Sequence, residues 1–270
     1  MSYSAVNSSV WLEGYQPKKN SRLRLFCFPP AGGNAYQFGR WERSLPGQVE
    51  VLPVQLPGRG RHFNKEPYRR LVPLARAIAE DLAPFFDRPY VLFGHSMGAL
   101  IAFEVARHRE RSGGRGPALL MVSGRRGPEW PRSKPPTYNL PDEDFKAMLR
   151  RLNGTLEEVL NNQQLMELMM PMLRADFEAV QTYEFEGPCV LRCPIRGYGG
   201  LGDSAVTTES LQAWRHYTGR AFSLSMFPGD HFFIFQSESR FLHKLAIDLT
   251  SLLAADSTAA RAGERAPDGS

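Results

Sequence analysis

The 270-residue chain predicts an α/β fold: a mostly parallel central sheet with helices on both faces and an inserted helical segment. Three observations carry that expectation. Short apolar runs alternate with stretches of helical spacing along most of the chain, the order that parallel strands and crossover helices produce. The run ALLMVS at residues 118–123 is apolar almost throughout, as a strand buried on both faces is. The stretch at residues 127–187 then breaks the alternation with prolines followed by helix.

In chain order, residues 22–28 (RLRLFCF) read as a strand and residues 49–56 (VEVLPVQL) as another, placed at a sheet edge by Pro53. Residues 71–86 have helical spacing, with Leu71, Leu74, Ala75, Ile78 and Leu82 on one face. A strand at 90–93 leads through Gly94-His95-Ser96-Met97-Gly98 into a helix ending near Arg111. Strands are expected at 118–123, 189–195 and 221–227, with a helix over about 207–217 between the last two. A final helix at 239–253 precedes residues 254–270, rich in small and charged residues and expected to be a disordered tail. Residues 1–126 and 188–253 thus form the core, and 127–187 an insertion. Its methionines, Met148, Met166, Met169, Met170 and Met172, either pack a helical subdomain of their own or line an acyl channel beneath a lid.

The net charge of +5 is a modest positive field, suited to an acidic protein partner. Nucleic acid is not expected, because no basic stripe is interleaved with aromatic residues. No 18-residue apolar run and no secretory leader pattern occur, which argues against the membrane. Three cysteines form no disulfide framework. The expectation is a cytoplasmic, reduced monomer without a metal.

The chemistry centres on Ser96. A serine with glycine two residues away on either side, between a strand and a helix, fits the nucleophile elbow of an α/β-hydrolase. The turn is so tight that side chains at the glycine positions clash, and the serine is held strained with its Oγ exposed. Such a serine needs a base and an orienting acid, in the order Ser, acid, His. Of the six histidines, His216, His231 and His243 follow the elbow with room for an acid between. His216 and His243 fall in expected helices, whereas His231 lies in the loop FPGDHFF directly after the last strand, where α/β sheets place catalysis. His231 is therefore the base. Asp203, in GLGDSAV, also follows a strand and is the acid; its alternative role is a helix N-terminal carboxylate. Asp230 adjoins His231 too directly to reach its Nδ1 with ease. The oxyanion requires two N–H donors: Met97, after the nucleophile, and Ala31 in the loop FPPAGG, with Gly32 as the near alternative. Residues 197–202 (GYGGLG) match the dinucleotide pattern G-x-G-x-x-G, but they lie far from the first βα unit and no acid ends the next strand.

FCFPPAGG (26–33), LPGRG (56–60), GHSMGALIAFEVAR (94–107), LRADF (173–177), GLGDSAV (200–206) and FPGDHFF (227–233) together resemble the type II thioesterases of polyketide and nonribosomal peptide biosynthesis. The resemblance covers residues 25–252. It implies a serine thioesterase with the triad Ser96, Asp203, His231 and a helical lid at 127–187. The implied partner is an acyl or peptidyl carrier protein, whose phosphopantetheine arm bears the acyl group; no separate cofactor is implied. Release of fatty acyl chains from a fatty acid synthase, acyl transfer, general ester hydrolysis and a non-catalytic carrier-binding scaffold are the alternatives.

Overall fold

The computed structural model describes residues 9–263 apart from residue 13 and residues 132–134, with side chains described to Ala255. Six strands form one parallel sheet: β1 (Leu23–Phe28), β2 (Val49–Pro53), β3 (Tyr90–His95), β4 (Leu119–Ser123), β5 (Ile195–Gly200) and β6 (Phe222–Phe227), in the order β2-β1-β3-β4-β5-β6. Every residue of β1, β3 and β4 is buried, which is why their sequences lack an exposed polar face. The two-residue period shows instead in which core each residue joins. Phe26 and Phe28 of β1 and Leu92 of β3 pack on one side, beneath α1 (Leu71–Asp81) and α2 (Met97–Arg111). Leu25, Cys27, Val91 and Phe93 pack on the other, with Phe38, Trp41 and the C-terminal helix. Pro53 closes β2 at the sheet edge, where a missing N–H is tolerated.

The strand order reverses between β1 and β3. Chain leaving β1 turns towards β2, and everything after β3 builds in the opposite direction. The carboxyl ends of these two strands therefore open a crevice, the usual ligand position in such sheets. The segment between β4 and β5 carries α3 (Asp142–Leu152), α4 (Glu157–Leu160) and α5 (Gln163–Gln181). After β5 come α6 (Thr208–Gln212), then β6, α7 (Phe233–Gln236) and α8 (Glu238–Gly263).

Two sequence expectations need correction, and a third, left open between two roles, is decided. The fifth strand is Ile195–Gly200, not residues 189–195. Pro188 and Pro194 disrupt the apolar run, and Leu191 contributes only an isolated bridge to Thr218. The glycine-rich sequence that reads as a loop is thus a strand, with Gly197, Gly199 and Gly200 all buried. The last helix runs to Gly263, past the expected stop at 253, so residues 254–263 are helical rather than a disordered tail. The alanines of that stretch are strong helix formers; residues 264–270 lie outside the described residues. Finally, Met166, Met170 and Met172 build the insertion's own core with Phe145, Leu149, Leu160 and Leu173, and Met169 packs against it. Of the five methionines, Met148 alone also lines the cavity described below.

Candidate active site

Ser96 sits between the end of β3 and the first residue of α2, with φ 55° and ψ −111°. A non-glycine residue at positive φ is strained and must be held by its surroundings. Here the Ser96 N–H donates to the Ser123 carbonyl of neighbouring β4 at 2.8 Å. The flanking glycines have distinct reasons. A methyl group on Gly94 would run into the Gly98 carbonyl, and one on Gly98 into the Phe28 carbonyl at the end of β1. The first glycine lets the turn close; the second lets the helix lie against the loop after β1.

The structure brings Ser96, His231 and Asp203 together. His231 Nε2 is 3.0 Å from Ser96 Oγ, and His231 Nδ1 is 2.6 Å from Asp203 Oδ2. The Asp203 side chain is 2% exposed, and its Oδ1 accepts the N–H groups of Ala205 and Val206 at 2.9 and 3.1 Å. The carboxylate is thus fixed by one oxygen and presents the other to the imidazole. Asp230 is turned elsewhere: its oxygens accept from the Phe232 N–H at 2.8 Å and from Asn153 Nδ2 at 3.2 Å. Burial pushes the Asp230 carboxyl up, but Gln236, the Phe232 N–H, Asn153 and the charge of His231 hold it below its ordinary value. His216 and His243 are exposed on their helical segments.

The glycines of β5 have a packing role. A methyl group on Gly200 would strike the Asp230 carbonyl, and one on Gly199 would strike Leu211 of α6. The Leu201 and Gly202 N–H groups donate to the carbonyls of Phe227 and Gly229, each at 2.8 Å. The acid loop and the histidine loop are therefore sewn together along their backbones, which sets the short Asp203–His231 contact. No helix begins at this glycine run, so it is not shaped as a nucleotide cradle.

Met97 opens α2, so its N–H is a first-turn donor with no carbonyl behind it in the helix. Ala31 shares a cavity wall with Ser96. The alternative donor, Gly32, has its N–H committed to Asp176 Oδ2 at 2.8 Å. That cavity, about 620 Å³, is bounded by Pro30, Gly124, Met148, Leu152, Phe177, Val180 and Phe232, with Ser96 and His231 in its wall. A smaller cavity of about 460 Å³ lies against β2. Its charged groups are already paired, Lys18 with Glu42 and Glu50 with Arg24, each at 2.8 Å.

The arrangement is that of a serine hydrolase, with a chamber beside the nucleophile whose apolar lining is bordered by Arg125, Arg126 and Arg151. Residues 23–247 match the Thioesterase domain family. The chain belongs to the thioesterase family. It is 40% identical over 251 residues to the gramicidin S biosynthesis protein GrsT of Aneurinibacillus migulanus, covering 93% of this chain and 97% of that protein. It is 36% identical to thioesterase PikA5 of Streptomyces venezuelae, covering 85% and 82%. Among solved structures, the type II thioesterase BorB from the borrelidin biosynthetic cluster superposes with a TM-score of 0.80 at 35% identity, covering 89% of this chain and 98% of that one. The protein is a hydrolase of thioester bonds.

Several residues of this thioesterase site carry no assigned role in the sequence reading. Arg59 and Asp176 form a buried bidentate ion pair at 2.7 Å between the LPGRG loop and α5. Their sequence signal is that they lie in LPGRG and LRADF, two of the motifs that carry the family resemblance, but nothing in the sequence pairs two residues 117 positions apart. Gly154, at the turn after α3, leaves the space that the Phe232 ring occupies beside His231. His95 lies buried under the histidine loop, 5.2 Å from the His231 ring, with Nδ1 3.0 Å from Ser123 Oγ. Burial, helped by the nearby charge of His231, holds the His95 pKa well below its ordinary 6.5. It stays neutral and adds no positive charge beneath the base. Among the described residues no helix is long and apolar enough to cross a membrane.

Proposed function

We propose that this thioesterase hydrolyses acyl groups from the phosphopantetheine arm of carrier proteins serving polyketide or nonribosomal peptide synthases, clearing chains that stall or misprime them. The observation that carries the reading is the relay Asp203–His231–Ser96 opening into a chamber under the inserted helices. The names of relatives in antibiotic pathways support the substrate class. The reaction draws on no cofactor, because the substrate brings its own pantetheine. The protein acts as a cytoplasmic monomer.

Ser96 is the nucleophile, His231 the base and Asp203 the acid. Serine is far too weak an acid to attack unaided, so His231 Nε2 takes the Oγ proton as the C–O bond forms at the thioester carbonyl. Asp203 holds the imidazole tautomer and stabilises the imidazolium. The tetrahedral oxyanion is met by the N–H groups of Met97 and Ala31, which need no reorganisation as charge develops. The C–S bond then breaks, the thiol leaves with the proton from His231, and the acyl group remains on Ser96. Water, deprotonated by His231, attacks this ester and releases the acid and free Ser96. The helices at 142–181 act as the lid, with Met148, Leu152, Phe177 and Val180 as the apolar lining for the acyl chain.

Ser96→Ala is expected to abolish release from acyl-carrier thioesters, and retained turnover in that variant would reject Ser96 as the nucleophile. Comparing one acyl group on carrier protein with the same group on coenzyme A tests the partner. The expected preference is for the carrier, and equal turnover on both would reject it.

A further inference from the structure

The loop that offers the Ala31 N–H is short, and its hold comes from outside it. Asp176 Oδ2 accepts the Gly32 N–H at 2.8 Å and Arg59 Nη1 at 2.7 Å, while Oδ1 accepts Arg59 Nη2 at 2.7 Å. Arg59 Nη1 also donates to the Gly33 carbonyl at 3.0 Å, and its Nε to the Pro57 carbonyl at 3.1 Å. Both side chains are almost dry, Arg59 6% and Asp176 4% exposed. The Gly33 N–H in turn donates to the Pro30 carbonyl at 2.9 Å. That carbonyl belongs to the same planar peptide group as the Ala31 N–H, and in a trans peptide the two point in opposite directions. Fixing Pro30 O towards Gly33 therefore aims the Ala31 N–H away from it. The chain of contacts is continuous: Asp176 holds Gly32 and Arg59, Arg59 holds Gly33, and Gly33 sets the plane that carries Ala31.

The geometry points to Asp176 as a positioning residue of thioester hydrolysis, one that works with Arg59 to aim the Ala31 N–H at the oxyanion. The inference rests on the serine mechanism proposed above. A bidentate guanidinium fixes the plane of a carboxylate as well as its distance. Asp176 is thereby a rigid acceptor, and α5 is tied to the catalytic loop by charge. Leu173, one turn earlier on α5, reinforces this by lying where a Gly32 side chain would go, 2.7 Å from an added Cβ. An ion pair that serves only stability can be exchanged for apolar residues with little loss. One that aims a catalytic donor cannot.

The test uses the full chain carrying Asp176→Asn and the double change Arg59→Met with Asp176→Leu. Removing an oxyanion donor outright costs about a hundredfold to a thousandfold in kcat, so misaiming one is expected to cost about tenfold to a hundredfold, with KM within about twofold. A boronic acid that forms a tetrahedral adduct on Ser96 should bind more weakly by the same factor as kcat falls. An S-alkyl pantetheine thioether, which has no carbonyl at the position Ser96 attacks, should bind as before. The double variant should melt near the wild-type temperature yet keep the low kcat. Wild-type kcat in either folded variant overturns the inference, as does a fall in kcat that leaves the boronate affinity intact. Should neither variant fold, the wild type decides through NMR of the Gly32 amide. A downfield, exchange-protected Gly32 proton that shifts when the boronate binds supports the inference; exchange at the rate of an open loop overturns it. Failure of the wild type to bind the boronate at all, with turnover surviving Ser96→Ala, would instead overturn the serine mechanism itself.

Discussion

The inserted helices meet the catalytic core at several places, and two of these contacts are opposite in kind. On the oxyanion side, α5 meets the core through a buried, bidentate ion pair, Asp176 with Arg59 at 2.7 Å, and through the Gly32 N–H. On the histidine side, the turn after α3 meets it through an exposed 3.2 Å bond from Asn153 to Asp230 and the Phe232 ring lodged against Gly154. The first contact is dry and charged; the second is wet and replaceable. The segment expected to form one lid is therefore held by a buried ion pair on one side and by a light, exposed contact on the other. The chamber lies between them, and acyl chains are expected to enter past the lighter contact.

The largest expected difference follows from removing the anchor's cation. Arg59→Met leaves the Asp176 carboxylate buried without its counter-ion, with only the Gly32 N–H still donating to it, which should destabilise the fold by about 3–5 kcal/mol in urea melts. A loss within experimental error would erase the contrast between the two contacts.

Acid separates the two sides next. His95 lies under the histidine loop and is neutral in the native state, with its pKa held well below 6.5 by burial. As the pH falls through the unfolded-state value of 6.5, the unfolded chain takes up a proton that the native protein refuses. Stability should thus fall below pH 6.5, by at most about 1.4 kcal/mol per pH unit from this residue, and be unaffected by it above. His95→Gln should flatten that acid limb; an unchanged limb would show that His95 is not its source.

Smaller effects belong to the open contact. Gly154→Ala pushes against the far end of a ring that can swing, so stability should change by under about 1 kcal/mol, while KM for long acyl chains should rise. An unchanged KM across acyl lengths would remove Phe232 from the entrance. Asn153→Ala should cost about 1 kcal/mol, because Asn153 caps α3 in the left-handed region at φ 56° as well as donating to Asp230. In hydrogen exchange, amides near 150–156 should open with lower free energy than those near 172–179, and equal protection would contradict a one-sided hinge.

Much of this was legible in the chain because the catalytic parts are local. Gly94, Ser96 and Gly98 answer to one tight turn, and Asp203 and His231 each follow a strand in short loops whose order is imposed by the fold. The anchor was only half legible: LPGRG and LRADF stand out as motifs, but the pairing between them does not. Arg59 and Asp176 are joined across 117 positions by tertiary packing alone, and neither has a periodicity that points to the other. The fifth strand was displaced in the reading for a related reason. Gly197, Gly199 and Gly200 resemble a loop by composition, yet the close approach of α6 and the Asp230 backbone demands glycine in a buried strand. The methionines were ambiguous for another reason, since their adaptability serves the insertion's own core, where they are found, as readily as a substrate.

A thiolate leaves more easily than serine's alkoxide, so deacylation should limit turnover and an acyl-enzyme should accumulate. Rapid-quench mass spectrometry of the wild type mixed with an acyl-carrier thioester tests this most directly. The expected result is the acyl mass on the peptide containing Ser96, formed before free acid appears and missing in His231→Ala. Acyl mass on any other residue, or rapid acylation of Ser96 in His231→Ala, would contradict the assignment of nucleophile and base.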